Sequence, residues 1–342
     1  MRAAVMREGR LIVDTVADPT PGPGEVLVKT LACGICGSDL HALKFAPQLA
    51  ESARESGMPF QLDVTRDVVM GHEFCAEIVD FGADTQRTLK TGTRVVSMPL
   101  AVGASGVHGV GYSNDYPGGY GELMRLSELF LLPVPNGLTT DHAALTEPMA
   151  VGVHAVAKSR FEPGDAPLVV GCGPVGLAVI AALRLRGAEP IVAADFSPVR
   201  RALAARVGAH VVVDPAETKP IDAWQAAAGA RPAVIFECVG VPGLLHEVMR
   251  DAPREARVVV AGVCMEDDRI RPMIGINKEL SLQFVLGYTP IEFADTLGHI
   301  AEGRIEVAPL VTGRVGVDGV PGAFEELGRP DAHAKILVEP WR

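Results

Sequence analysis

The sequence predicts an α/β protein of two domains, with a doubly wound parallel sheet in its second half and a β-rich domain in its first. Three observations carry the prediction. At 342 residues the chain exceeds what one hydrophobic core usually supports. From about residue 145 onward, nearly continuous apolar runs alternate with helical patterns, as strands buried on both faces require. Before that point the runs are shorter and are broken by glycine and proline.

Taken in order, residues 1–30 read as short strands separated by turns, with DPTPGPGE as a strong loop signal. GTRVVSM (92–98) reads as a further strand, and the glycines, serines and prolines from there to about residue 121 read as loops. HAALTEPMAVGVHAVAKS (142–159) has helical spacing. LVVG (168–171) is then a strand and GLAVIAALRLRG a helix, followed by the strand IVAAD (191–195) and the helix PVRRALAARVG. VVVD, VIFECVG, RVVVAGV and LQFVLGY continue the strand series. The last fifty or so residues end in AKILVEP, a strand expected to return to the first domain.

Composition narrows the function. A net charge of −11 leaves no basic stripe to neutralise phosphates, which argues against a nucleic-acid partner. Residues 166–183 are uncharged and near the length of a membrane span, but three glycines and a central proline fit strand, turn and helix start better. No secretory signal is visible at the N-terminus, and six scattered cysteines do not make a disulfide scaffold. The expectation is a reduced, cytoplasmic protein without a membrane partner.

GCGPVG supplies Gly171, Gly173, Pro174, Val175 and Gly176 in G-x-G-x-x-G order, between a predicted strand and a predicted helix. In that setting the glycines permit a tight turn, close approach to a pyrophosphate and close helix–strand packing. Asp195 ends the next strand, 19 positions after Gly176, where it would accept hydrogen bonds from ribose hydroxyls and repel a 2′-phosphate. That favours NAD over NADP. Arg200, with Arg201 beside it, is the cation that could instead meet a phosphate.

A second signal is LACGICGSDLH (31–41), where Cys33 and Cys36 are spaced as in a zinc knuckle, a redox dithiol or an incidental small-residue loop. MGHEF adds His72 and Glu73, and TEPMAVGVHAV adds Glu147. One thiolate, one imidazole and a carboxylate make a catalytic zinc set with a position left for substrate. Spacing alone leaves a surface or core role for the His–Glu pair open.

Together CGICGSDLH, GHEF, EPMAVGVHA and GCGPVGLAVIA resemble, in order and approximate spacing, the zinc-dependent medium-chain alcohol dehydrogenases, most of all the polyol, butanediol and threonine dehydrogenase branch. The resemblance covers essentially the whole chain. It implies a GroES-like catalytic domain (1–150), a Rossmann domain that binds NAD (151–288) and a return to the catalytic domain (289–342). It makes Cys36 and His72 zinc ligands, Glu73 a carboxylate able to bind or exchange at the metal, and Glu147 a third ligand or a carboxylate acting through water. Ser38 and His41 match positions that pass the alcohol proton toward solvent, whereas Cys33 is not a ligand. The implied reaction interconverts a secondary alcohol or polyol and its ketone or aldehyde, with hydride transfer to NAD and one catalytic zinc per chain.

The chain departs from many relatives in two places. Residues 97–120 contain none of the four cysteines that hold a structural zinc, so that lobe is expected to stand without one. The interval between His41 and His72 is long, and KFAPQLAESARESG within it has the composition of a helix that could shape the substrate entrance or serve no role. Two other readings compete with the main one: a zinc-free quinone or enone reductase of the same superfamily, and a nucleotide-binding protein without catalysis. SLQFVLGYT (281–289) matches an edge strand that in relatives pairs across a two-fold axis, so a homodimer or a homotetramer is expected.

Overall fold

The computed structural model describes residues 1–58, 62–104 and 106–342; Pro59–Gln61, inside the long interval noted above, and Ser105, in the cysteine-free lobe, lie outside it. The chain forms two compact units, Met1–Glu147 with Val311–Arg342, and Pro148–Leu310.

The first unit is β-rich. Strands β1 (Arg2–Arg7) and β2 (Arg10–Thr15) form a hairpin in which Arg7 faces Arg10. Its two turn residues, Glu8 and Gly9, both have positive φ, the geometry that matches the twist of adjoining strands. The ten-residue β3 (Glu25–Gly34) leads into α1 (Gly37–Glu55), which is followed by β4 (Val68–Val69), β5 (Glu73–Phe81) and β6 (Arg94–Ser97). The hairpin β7 (Leu100–Gly103) and β8 (Gly106–Gly109) comes next, then β9 (Leu123–Ser127), β10 (Leu131–Pro133) and α2 (Thr140–Ala144). Residues 98–121 thus hold paired strands where the composition suggested only loops. Four-residue strands rich in glycine carry too little alternation to be read.

The second unit opens with α3 (Thr146–Lys158), whose first two residues still belong to the first. Then β11 (Ala166–Val170), α4 (Pro174–Leu185), β12 (Val192–Ala194), α5 (Pro198–Val207) and β13 (Val211–Val213) alternate. They are followed by α6 (Pro220–Ala228), β14 (Ala233–Glu237), α7 (Leu244–Asp251), β15 (Arg257–Val260), α8 (Pro272–Lys278), β16 (Ser281–Phe284) and α9 (Pro290–Ala301). All six strands are parallel, in the order β13-β12-β11-β14-β15-β16. That is the doubly wound arrangement whose order reverses beside the first strand, where dinucleotides bind at strand ends. The uncharged stretch 166–183 divides into β11, a glycine turn and the start of α4. Among the described residues no helix is long and apolar enough to cross a membrane.

The chain then returns to the first unit through β17 (Val311–Val315), α10 (Val320–Leu327) and β18 (Lys335–Val338). β18 pairs with β3, setting Leu337 opposite Gly34 and Val338 opposite Cys33. The main sheet runs β10-β6-β5-β3-β18-β17, with β9 also on β3. The return begins at Val311 and not at 289, because α9 packs in the second unit: Glu292 caps it and accepts from His154 Nδ1 at 2.8 Å.

Candidate active site

Within the first unit, Cys36, His72 and Glu73 each place one donor atom within 4.8 Å of the other two. Cys36 is the residue that starts α1, at the point where β3 ends, and Glu73 is the first residue of β5. β3 and β5 are paired, with Gly34 opposite Glu73, so the sheet register itself brings the three together. A tetrahedral zinc with ligands at 2.0–2.3 Å would need donors roughly 3.3–3.7 Å apart. The cluster is therefore of suitable size after a small contraction, and a thiolate, an imidazole and a carboxylate are a zinc donor set.

Asp39, for which no role was legible in the chain, organises this cluster. It is fully buried. Its carboxylate accepts from the Cys36 backbone N–H at 3.1 Å, from Tyr120 Oη at 2.5 Å and from Tyr112 Oη at 2.9 Å. Its Oδ1 also lies 3.3 Å from His72 Nδ1, an ion-pair contact not in line for a good hydrogen bond. With Nδ1 turned to Asp39, Nε2 is the nitrogen left for a metal. Burial works against the Asp39 charge, but His72 and the tyrosine hydroxyls outweigh it and hold its pKa below the usual value. Burial likewise opposes the His72 imidazolium, and here Asp39 and Cys36 prevail and hold its pKa well above the ordinary value.

Lys335, from β18, is the other residue the sequence did not signal. Buried itself, it donates to both oxygens of Glu73 at 2.7 and 2.6 Å and to the Ile35 carbonyl at 3.1 Å. Burial opposes the ammonium, but Glu73 and Cys36, with Glu147 at lesser strength, raise its pKa. Glu147 is buried in the first turn of α3 and lies outside the three-residue cluster. Glu73 thus has both carboxylate oxygens engaged by Lys335.

Cys33 stands apart. Its thiol is buried on β3, 3.6 Å from the Gly34 carbonyl, and a side chain added at Gly71 or Gly119 would strike its sulfur. Burial, then Asp39 and Glu73, push that thiol well above its ordinary pKa, so it is held as a neutral, unreactive group. Ser38 and His41 lie three residues apart on α1, on one helical face. Ser38 Oγ meets Tyr112 Oη at 2.9 Å. The His41 Nδ1 is buried with no hydrogen-bond partner among the described residues, and burial with nearby Lys44 lowers the ring's pKa.

In the second unit, Gly171 turns the chain out of β11 at φ +93°, a conformation side chains rarely adopt. A Cβ at Gly176 would lie 1.9 Å from the Gly171 carbonyl oxygen, so the helix start and the turn are in direct contact. Gly173 precedes α4, Pro174 opens it with its preset φ, and Val175 follows. Asp195 is anchored beside this turn: one oxygen accepts from Cys172 N–H and the other from Ser197 N–H, each at 2.8 Å. Arg201 is committed to Asp214 at 2.9 Å and to the carbonyls of Asp195 and Phe196. Arg200 reaches toward the turn near Gly173, and its Nε is buried without a partner among the described residues.

Comparison with known proteins bears on both sites. Residues 22–136 match the alcohol dehydrogenase GroES-like domain, and residues 174–302 match the zinc-binding dehydrogenase family. (R,R)-butanediol dehydrogenase of Bacillus subtilis is 33% identical over 340 residues, covering 96% of each chain. A crystal structure of 2R,3R-butanediol dehydrogenase from that species superposes with a TM-score of 0.84 over 99% of both chains. Sorbitol dehydrogenase of Bacillus subtilis is 27% identical over 359 residues, covering 100% of this chain and 98% of its own. A Sinorhizobium meliloti structure described as a zinc-binding dehydrogenase and bound to NADP is 27% identical, with a TM-score of 0.83 over 99% of both chains.

Proposed function

The chain belongs to the zinc-dependent medium-chain alcohol dehydrogenase family, and from that premise we propose that it interconverts a secondary alcohol or polyol and its carbonyl compound, using NAD and one zinc ion held at Cys36 and His72. The observation that carries this reading is the meeting of Cys36, His72 and Glu73 within 4.8 Å on a scaffold oriented by Asp39. When bound, zinc supplies Lewis acidity of the kind that lowers the pKa of water from 15.7 to about 7, and NAD supplies the two-electron acceptor.

The chain's own residues do the rest. Cys36 and His72, the latter turned on Asp39, form the fixed part of the metal site. Glu73 is held on Lys335, so its approach to a metal requires that pair to loosen; Glu147 is the alternative carboxylate. Alcohol oxidation breaks a C–H bond, whose hydrogen leaves with both electrons to the nicotinamide, and an O–H bond, whose proton must reach solvent. Ser38 can accept that proton's hydrogen bond and His41, held neutral, can receive it. Asp195, with both oxygens anchored on backbone, retains lone pairs for ribose hydroxyls and its charge opposes a 2′-phosphate, which supports NAD.

The end strand β16, with Phe284 64% exposed and Leu286 just beyond it 71% exposed, supports assembly of two copies edge to edge. The deciding experiment combines metal analysis with a screen of secondary alcohols and polyols, following reduction of NAD and NADP. About one zinc per chain and a higher kcat/KM with NAD are expected. Active enzyme without zinc would favour a metal-free reductase, and equal or reversed preference would refute the role given to Asp195.

A further inference from the structure

Tyr112 belongs to the lobe that lacks the structural-zinc cysteines, yet its hydroxyl lies inside the site just described. It is 2.9 Å from Ser38 Oγ and 2.9 Å from Asp39 Oδ1. Its ring stands 5.2 Å from the imidazole of His72, tilted by 33°. These contacts fix more than position. An ionised carboxylate only accepts, so the single proton of the Tyr112 hydroxyl is donated to Asp39. The Ser38–Tyr112 contact then has one possible direction: Ser38 donates and Tyr112 accepts. Asp39 cannot turn away to relax this order, because its other oxygen is held by the Tyr120 hydroxyl and the Cys36 N–H.

We propose that Tyr112 is a positioning residue that orients the Ser38 hydroxyl before reaction, holding its hydrogen inward so that its lone pairs receive the O–H of the alcohol. As that proton is taken up, Ser38 releases its own hydrogen by turning from Tyr112 toward the neutral ring of His41. A free serine hydroxyl rotates and can present either its hydrogen or its lone pairs to a neighbour. A substrate meeting the hydrogen would be bound in an unreactive arrangement, with its own O–H pointing elsewhere. Tyr112 removes that alternative before substrate arrives, which lowers the reorganisation needed to reach the transition state. The chain Ser38 to Tyr112 to Asp39 also places the lobe under the control of the metal-site carboxylate. Tyr116 ties the same lobe to Glu25 at 2.6 Å, and Tyr120 ties it to Asp39. Tyr116 and Tyr120 thereby anchor the segment to two carboxylates, and the Tyr112 hydroxyl is left to orient Ser38.

The inference rests on the alcohol dehydrogenase reading and is tested with Tyr112→Phe, which keeps the ring and removes the hydroxyl. Alcohol oxidation by the zinc-loaded enzyme should lose about tenfold in kcat, the effect of one hydrogen bond, with little change in KM. The solvent deuterium isotope effect on kcat should rise. In a Ser38→Ala background the same substitution should cost nothing further, since the group it orients is gone. Melting temperature and zinc content should match the wild type. A Tyr112→Phe enzyme with wild-type kcat overturns the inference, as does a loss that multiplies with that of Ser38→Ala. A lower melting temperature or lost zinc would make Tyr112 structural and overturn it equally. Wild-type enzyme that oxidises no alcohol would instead overturn the reading beneath it.

Discussion

His41 illustrates how a single residue's surroundings set its chemistry. Burial first, and then the charge of Lys44, lower its pKa, so the ring is neutral at neutral pH and able to take a proton. Turnover of the wild type should therefore rise with pH through a value below the ordinary 6.5 or so and level off above it. His41→Gln should remove that rise and slow oxidation about ten- to hundredfold at neutral pH, with the deficit shrinking at alkaline pH, where hydroxide can take the proton directly. A kcat–pH profile of the two enzymes checks this, and superimposable profiles would discard the role. At the same scale, the cysteine pair was legible only in part. Cys36 carries a pattern because Ser38 and His41 follow it, whereas the neutrality of Cys33 depends on contacts with Gly71 and Gly119 that no local spacing encodes.

At the scale of elements, the site is a product of strand pairing. β18 brings Lys335 from the far end of the chain to the Glu73 carboxylate at the start of β5, and both side chains are buried. Gly34 leaves the room for this, since a Cβ there would lie 2.1 Å from Glu73 Oε2. Lys335→Ala would strand a buried charge and should cost about 3–5 kcal/mol. The double variant Lys335→Met with Glu73→Gln should recover part of that loss. Thermal or denaturant unfolding of the three proteins tests it, and an unchanged stability for Lys335→Ala would show that Glu73 finds water instead. Asp39 is a similar case: it reads as an acidic residue in the first helical turn, which caps the Cys36 N–H, while its hold on His72 and two tyrosines follows from tertiary packing.

At the scale of the whole molecule, the end of the parallel sheet bears on assembly. β16 is the end strand of the parallel sheet, and large apolar side chains on and beside it are exposed. Phe284→Glu should shift the protein from dimer or tetramer toward monomer in light scattering after gel filtration; an unchanged mass would exclude this edge as the interface. The long apolar runs, the glycine turn with its acidic partner, and the order of the metal-site motifs were all readable from the chain. They are short-range signals: a doubly buried strand needs a continuous apolar run, a turn at φ +93° needs glycine, and a zinc site needs a thiolate and an imidazole. The sequence by itself therefore determined the fold class, the nucleotide turn and the reaction family. Only the tertiary structure decided what each donor faces. Lys335 lies 262 residues from Glu73, and Tyr112 lies 74 from Ser38. Such pairings are settled by sheet register and by the need to satisfy every buried charge, and those constraints act only on the folded chain.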